Sequence, residues 1–105
     1  MTILVQVLEQ GYSHSTPWQQ RRYQFVDAAH IVGLRLDGQS GVWLDMTRPG
    51  ESHQLALTPS PDLSVYFLMR VFDDLANCER QGGSWLIGHD GSNLESITAT
   101  RFPMP

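Results

Sequence analysis

The chain has 105 residues, 41% of them hydrophobic, a formal net charge of −4 and one cysteine, Cys78. That length makes a single domain over residues 1–105, able to hide about two thirds of its unfolded surface without disulfides or metal. All seven Lys/Arg positions are arginine, which excludes Schiff-base chemistry, pyridoxal phosphate attachment and a phosphate loop with its lysine. The acidic balance argues against nonspecific binding of nucleic acid and suits a basic protein partner. No run approaches the ~20 apolar residues that span a bilayer, and Met1 to Gln10 lacks the positive start and cleavage site of a signal peptide. The expected location is therefore the cytoplasm, away from membranes.

Thr2 to Glu9 reads as a strand, with Ile3, Val5 and Val7 on one face and Leu4 and Leu8 on the other. Apolar groups on both faces suit a central position in a sheet. Gly11 to Gln20 is polar, contains Pro17 and reads as a loop. Arg21 to Val26 is a second strand, ending at Asp27-Ala28-Ala29.

Three alternating segments follow. Val32, Leu34 and Leu36 share one face of His30 to Asp37, and Val42, Leu44 and Met46 share one face of the next segment, opposite Trp43, Asp45 and Thr47. The third segment sets His53, Leu55 and Leu57 against Gln54, Ala56 and Thr58. Asp37-Gly38-Gln39-Ser40-Gly41 tolerates positive φ, and Arg48-Pro49-Gly50-Glu51 fits a type II turn, so residues 30–58 form a three-stranded antiparallel meander covered on one side.

A long helix over 61–81 comes next. Ser60 caps it, Pro61 suits its first position, Asp62 favours the positive end of its dipole, and Gly82-Gly83 stop it just after Arg80. Val65, Leu68, Met69, Phe72, Leu75 and Ala76 recur at helical spacing, extended by Val71 and Cys78. Tyr66 and Phe67 widen the apolar surface beyond what one sheet face needs, which predicts burial by the sheet on one side and by a second subunit on another. Ser84 to Gly88 and Leu94 to Phe102 form a closing hairpin around His89 to Asn93, and Phe102 to Pro105 is a tail.

The fold class is thus α+β: a mostly antiparallel sheet of six or seven short strands, with the meander at 30–58, on one long helix at 61–81. Such a sheet has two edges, and pairing them between subunits is a route to a homodimer.

Functional signals are sparser. Cys78 falls on the apolar stripe and reads as an inert core thiol. His14, His30, His53 and His89 are scattered without ligand spacing, as surface or sheet-edge histidines, so neither a metal nor a cofactor is expected. Asp73 and Asp74 are adjacent on a helix and point apart; Ser40 lies in a turn and not in a nucleophile elbow. No catalytic residue is assigned. The segment Trp18-Gln19-Gln20-Arg21-Arg22-Tyr23 combines aromatic faces with two guanidinium groups, a composition suited to a nucleotide or another anion.

Arg21-Arg22 followed by Asp45-Met46-Thr47-Arg48-Pro49-Gly50 faintly resembles PilZ domains, and that resemblance would imply cyclic di-GMP binding through the arginines and the turn. The arginines are adjacent where that family spaces them four apart, threonine stands for serine and Glu51 for an apolar residue, so the two motifs do not amount to membership.

The leading expectation is a non-enzymatic interaction module, homodimeric and acting through a protein partner. Trp43, opposite the apolar face of its strand, is the interface candidate, with Trp18 and Trp85 as further anchors. A second expectation is a small-ligand sensor in which Trp18, Arg21, Arg22, Tyr23 and Arg48 clamp an anion. A third is an enzyme using His30 or His53 with Asp27 or Asp45 as an acid/base pair.

Overall fold

The computed structural model describes residues 2–9, 20–37, 41–58, 60–90 and 94–102. It contains seven strands in two sheets and one long helix, in the predicted order: two strands, a meander, the helix and a closing hairpin. The predicted loop at 11–20 and the predicted tail at 102–105 fall largely outside the described residues, and Trp18, His14 and Ser40 lie wholly outside them.

β1 (Ile3–Leu8) is central, as its two apolar faces require. It pairs antiparallel with β2 (Tyr23–Asp27) and parallel with β6 (Trp85–Gly88), which pairs antiparallel with β7 (Thr98–Arg101), giving the order β2-β1-β6-β7. The parallel β1–β6 pair was not visible in the local pattern. β2 begins two residues later than expected, and the return strand of the hairpin is only Thr98–Arg101, preceded by a 3-10 turn at Leu94–Ser96.

β3 (Ile31–Asp37), β4 (Gly41–Met46) and β5 (Ser52–Ala56) form the antiparallel meander. The Arg48–Glu51 turn closes with a 3.1 Å bond from the Glu51 amide to the Arg48 carbonyl, and Gly50 holds φ +79° at the position a type II turn reserves for glycine. β4 alternates as predicted, with Val42, Leu44 and Met46 buried and Trp43 and Asp45 partly exposed. Its neighbours depart from the simple pattern. An irregularity between Ile31 and Gly33 takes Val32 out of register, so it is 64% exposed and does not join Leu34 on the inner face. In β5 and just after it, Gln54 to Thr58 are all buried, because this strand runs beside β1 and has no open face.

α1 (Pro61–Gln81) starts as its sequence dictates. The Ser60 hydroxyl accepts the Leu63 amide at 3.3 Å, and buried Thr58 donates to the Ser60 carbonyl at 2.8 Å while sharing a 2.5 Å bond with Ser64. At the other end Gly82 takes φ +71°, and Trp85 Nε1 and Arg101 both donate to its carbonyl, at 2.9 and 3.0 Å. The Arg101 guanidinium also lies over the Trp85 ring at 4.8 Å, so Trp85 is committed to closing the helix.

The core is shared by both sheets and the helix: Val5 and Val7 of β1, Val42 and Leu44 of β4, Leu55 of β5, Ile87 of β6, and Phe67, Val71 and Cys78 of α1. The face of α1 that enters it is not the one with the strongest apolar repeat. Ser64, Phe67, Val71 and Cys78 are buried, whereas Val65, Met69, Phe72 and Ala76 are exposed. At about 100° per residue, the buried line is turned by roughly 100° from the predicted stripe.

Candidate functional site

Two concavities flank the meander. The first is an apolar groove of about 290 Å³ between α1 and the start of the meander. Its walls are Leu68, Phe72, Leu75 and Ala76 from the helix, and Ala28, Ile31 and Leu34 from the strand side; Val5, Leu44 and Val71 lie below. The groove opens onto the outer flank of α1, where Val65 is 41%, Tyr66 59%, Met69 57% and Phe72 49% exposed. Charged side chains border this flank and do not interrupt it: Asp62 and Asp73 stand on one side and Glu79 on the other. With typical areas for such side chains, the four expose on the order of 400 Å² of apolar surface, the size of the largest patch on a typical monomer and often a functional one.

The second concavity, of about 350 Å³, is polar and sits where the 3-10 turn Ala28–His30 meets the β4–β5 hairpin. Asp27, His30, Thr47, Arg48 and Glu51 line it. Each has an evident local role. Asp27 accepts the Ala29 amide at 2.9 Å, the Thr47 amide donates to the His30 carbonyl at 2.8 Å, and Arg48 stands 4.0 Å from Glu51. Two carboxylates therefore accompany the one arginine, which works against capture of an anion.

The residues of the anion-clamp expectation are distributed differently. Arg21 and Arg22 precede β2, and the Arg22 carbonyl accepts the Glu9 amide at 2.8 Å. Tyr23, at the start of the strand, donates its hydroxyl to the Asp90 carbonyl at 2.7 Å. Arg48 shares its cleft with Asp27, the last residue of β2, about 13 Å from Tyr23 along the strand. Trp18 lies outside the described residues.

Neither acid/base pair of the third expectation is formed by the carboxylates it named. Asp27 caps a turn, Asp45 is held by Arg35 at 3.0 Å through both oxygens, His30 Nδ1 lies 3.4 Å from the Thr47 hydroxyl, and His53 sits between Gln24 at 3.1 Å and Glu51 at 3.4 Å. Among the described residues no three His, Cys, Asp or Glu side chains are grouped to hold a metal ion, and no helix is long and apolar enough to cross a membrane.

Trp43 lies on the outer face of the meander, with the Arg35 guanidinium 5.9 Å from its ring centre and Arg35 also paired with Asp45. This cross-strand trio supplies a structural reason for tryptophan at that position.

His89 departs most from its sequence reading as a surface or sheet-edge histidine. It is only 6% exposed, edge-on to Phe67 with ring centres 5.0 Å apart, and its Nε2 lies 2.5 Å from the Gln6 carbonyl. Nε2 carries the proton and donates it, which leaves Nδ1 buried and without a hydrogen-bond partner among the described residues. Burial outweighs the favourable Gln6 carbonyl and Asp90 charge and pushes the imidazole down to about 4. Around it, Asp90 joins Tyr23 of β2 and Ser96 of the following turn. His89 is therefore a neutral structural tie between α1, β1 and the end of β6. Only the adjacency of an apolar run before it, Trp85 to Ile87, hinted at burial in the sequence.

Cys78 is 2% exposed, and burial, with Asp74 nearby, pushes its thiol up despite the opposing charge of Arg101. No family model, no curated protein and no solved structure matches the chain.

Proposed function

We propose that the protein is a non-enzymatic, cytoplasmic protein-interaction module that acts as a homodimer, with the outer flank of α1 as its docking surface. One observation carries this reading: α1 already seats Phe67, Val71 and Cys78 in the core, yet presents Val65, Tyr66, Met69 and Phe72 as a second apolar face. Packing among the described residues leaves that face largely uncovered. Covering roughly 400 Å² of it is worth on the order of 10 kcal/mol before the costs of association, which are of similar size, so the affinity rests on what the partner adds. The adjoining groove supplies a recess for a side chain of the partner. Among the described residues the neighbouring side chains carry no arrangement suited to bond chemistry, and the buried free thiol of Cys78 suits a reducing compartment.

Photo-crosslinking in cells tests the reading. A benzophenone amino acid replacing Tyr66 should give a discrete protein adduct, while the same group at Thr100, exposed on β7, should give none. Equal, diffuse labelling from both positions would refute a docking role for α1.

A further inference from the structure

The exposed flank of α1 also indicates who the partner is and how it lies. The geometry points to a second copy of the chain, packed antiparallel on the first through α1, with Val65, Met69, Phe72 and Ala76 at the seam and Asp62 of each copy against Arg80 of the other. This rests on the docking role proposed above and adds the occupant and its direction.

Three features support it. Val65, Met69, Phe72 and Ala76 recur at spacings of four, three and four, which is the seam pattern of helices crossing at a shallow angle. All four are exposed and none is charged, over about 16 Å of helix. The second feature is charge. Asp62 and Arg80, in the first and last turns, are 18 residues apart, five whole turns, so they stand in line on the same border of the stripe. In an antiparallel pair the borders that meet are equivalent ones, and the midpoint of 62 and 80 falls between Met69 and Phe72. Asp62 then meets Arg80 of the other copy at both ends, while Val65 meets Ala76 and Met69 meets Phe72. A parallel pair would bring opposite borders of the stripe together and leave neither Asp62 nor Arg80 facing the other. Arg80 is exposed and turns to Asn77 one turn back, a surface contact that is readily exchanged. The third feature is area. The seam residues and the groove rim expose on the order of 300 to 400 Å² of apolar surface per copy, below the area of stable interfaces and suited to a weak, reversible dimer that forms at micromolar concentrations and above.

Sedimentation equilibrium on the full chain, from about 1 to about 300 µM, tests this directly. Wild type should pass from monomer to dimer across that range, and Met69→Asp should stay monomeric with the thermal stability that wild type has at about 1 µM. Asp62→Arg and Arg80→Glu should each weaken pairing about tenfold, since two attractive contacts become repulsive. The double variant Asp62→Arg/Arg80→Glu should return to within about threefold of wild type. It carries both unfavourable helix-dipole changes, so recovery cannot come from repaired folding. Orientation has its own readout: Val65→Cys/Ala76→Cys should oxidise to a covalent dimer, while Val65→Cys alone should not, because like positions would be about 16 Å apart.

A wild type that is monomeric throughout overturns the second copy as occupant and, with it, the homodimer of the proposed function, leaving only the docking role of α1, with another protein as its partner. A dimer untouched by Met69→Asp uses another surface and overturns both readings. A dimer lost in Met69→Asp but indifferent to the charge variants, or linked by Val65→Cys alone, overturns the antiparallel register.

Discussion

His89 gives the fold a measurable dependence on pH. In the unfolded chain its imidazole takes a proton near the ordinary histidine value of 6.5, whereas the folded site holds it at about 4. Between those two values the unfolded state binds more protons than the native state, so stability rises with pH and is lost as pH falls through the window. The full difference of about two and a half pH units corresponds to about 3 kcal/mol, reached only below pH 4. From pH 7 to pH 5 the loss is about 2 kcal/mol, or roughly 10 °C in the unfolding midpoint of a domain this size. Other carboxylates and histidines also titrate, so the measurement is a difference. Urea unfolding of wild type and His89→Gln at pH 7, 6, 5 and 4.5 should give stability gaps that shrink by about 2 kcal/mol between the first and third points. Glutamine retains a donor for the Gln6 carbonyl and does not titrate, so the sign and slope of the change belong to the imidazole. Parallel curves for the two proteins, or a His89 proton resonance titrating near 6.5, would show that the ring is not desolvated and would refute the reasoning.

Four further outcomes follow from the packing and the backbone. Met69→Asp should change stability by less than about 0.5 kcal/mol while Val71→Asp, two residues on, should abolish folding, a contrast that circular dichroism reads at once. Gly41→Ala should cost more than about 2 kcal/mol, since Gly41 has φ +84° and an added Cβ would lie 2.1 Å from the Ala56 carbonyl oxygen. Gly50→Ala, at φ +79° with nothing within 4 Å of the new atom, should cost about 1 kcal/mol in the same unfolding assay. The Cys78 thiol should resist a disulfide reagent at pH 8 in the native protein and react fully in denaturant; fast native labelling would contradict its burial.

The sequence by itself determined the local elements. Alternation in Val42 to Met46, the Pro49-Gly50 turn, Ser60-Pro61-Asp62 and Gly82-Gly83 are each set by backbone chemistry within a few residues, and the strands, hairpin and helix stand where those signals place them. The central place of β1 was legible too, because Ile3 to Leu8 is apolar on both sides. The tertiary structure alone decided the relations across distance. The parallel pairing of β1 with β6 joins segments about 80 residues apart, and the burial of Gln54 comes from β5 lying beside β1. His89 is buried because Phe67 and Gln6 converge on it from two other elements. The same holds for α1. An apolar repeat reports how much surface a helix must hide, and the sum cannot say which part of it meets its own sheets. Only the packing of Phe67, Val71 and Cys78 into the core separates that part from Val65, Met69 and Phe72, which stay exposed.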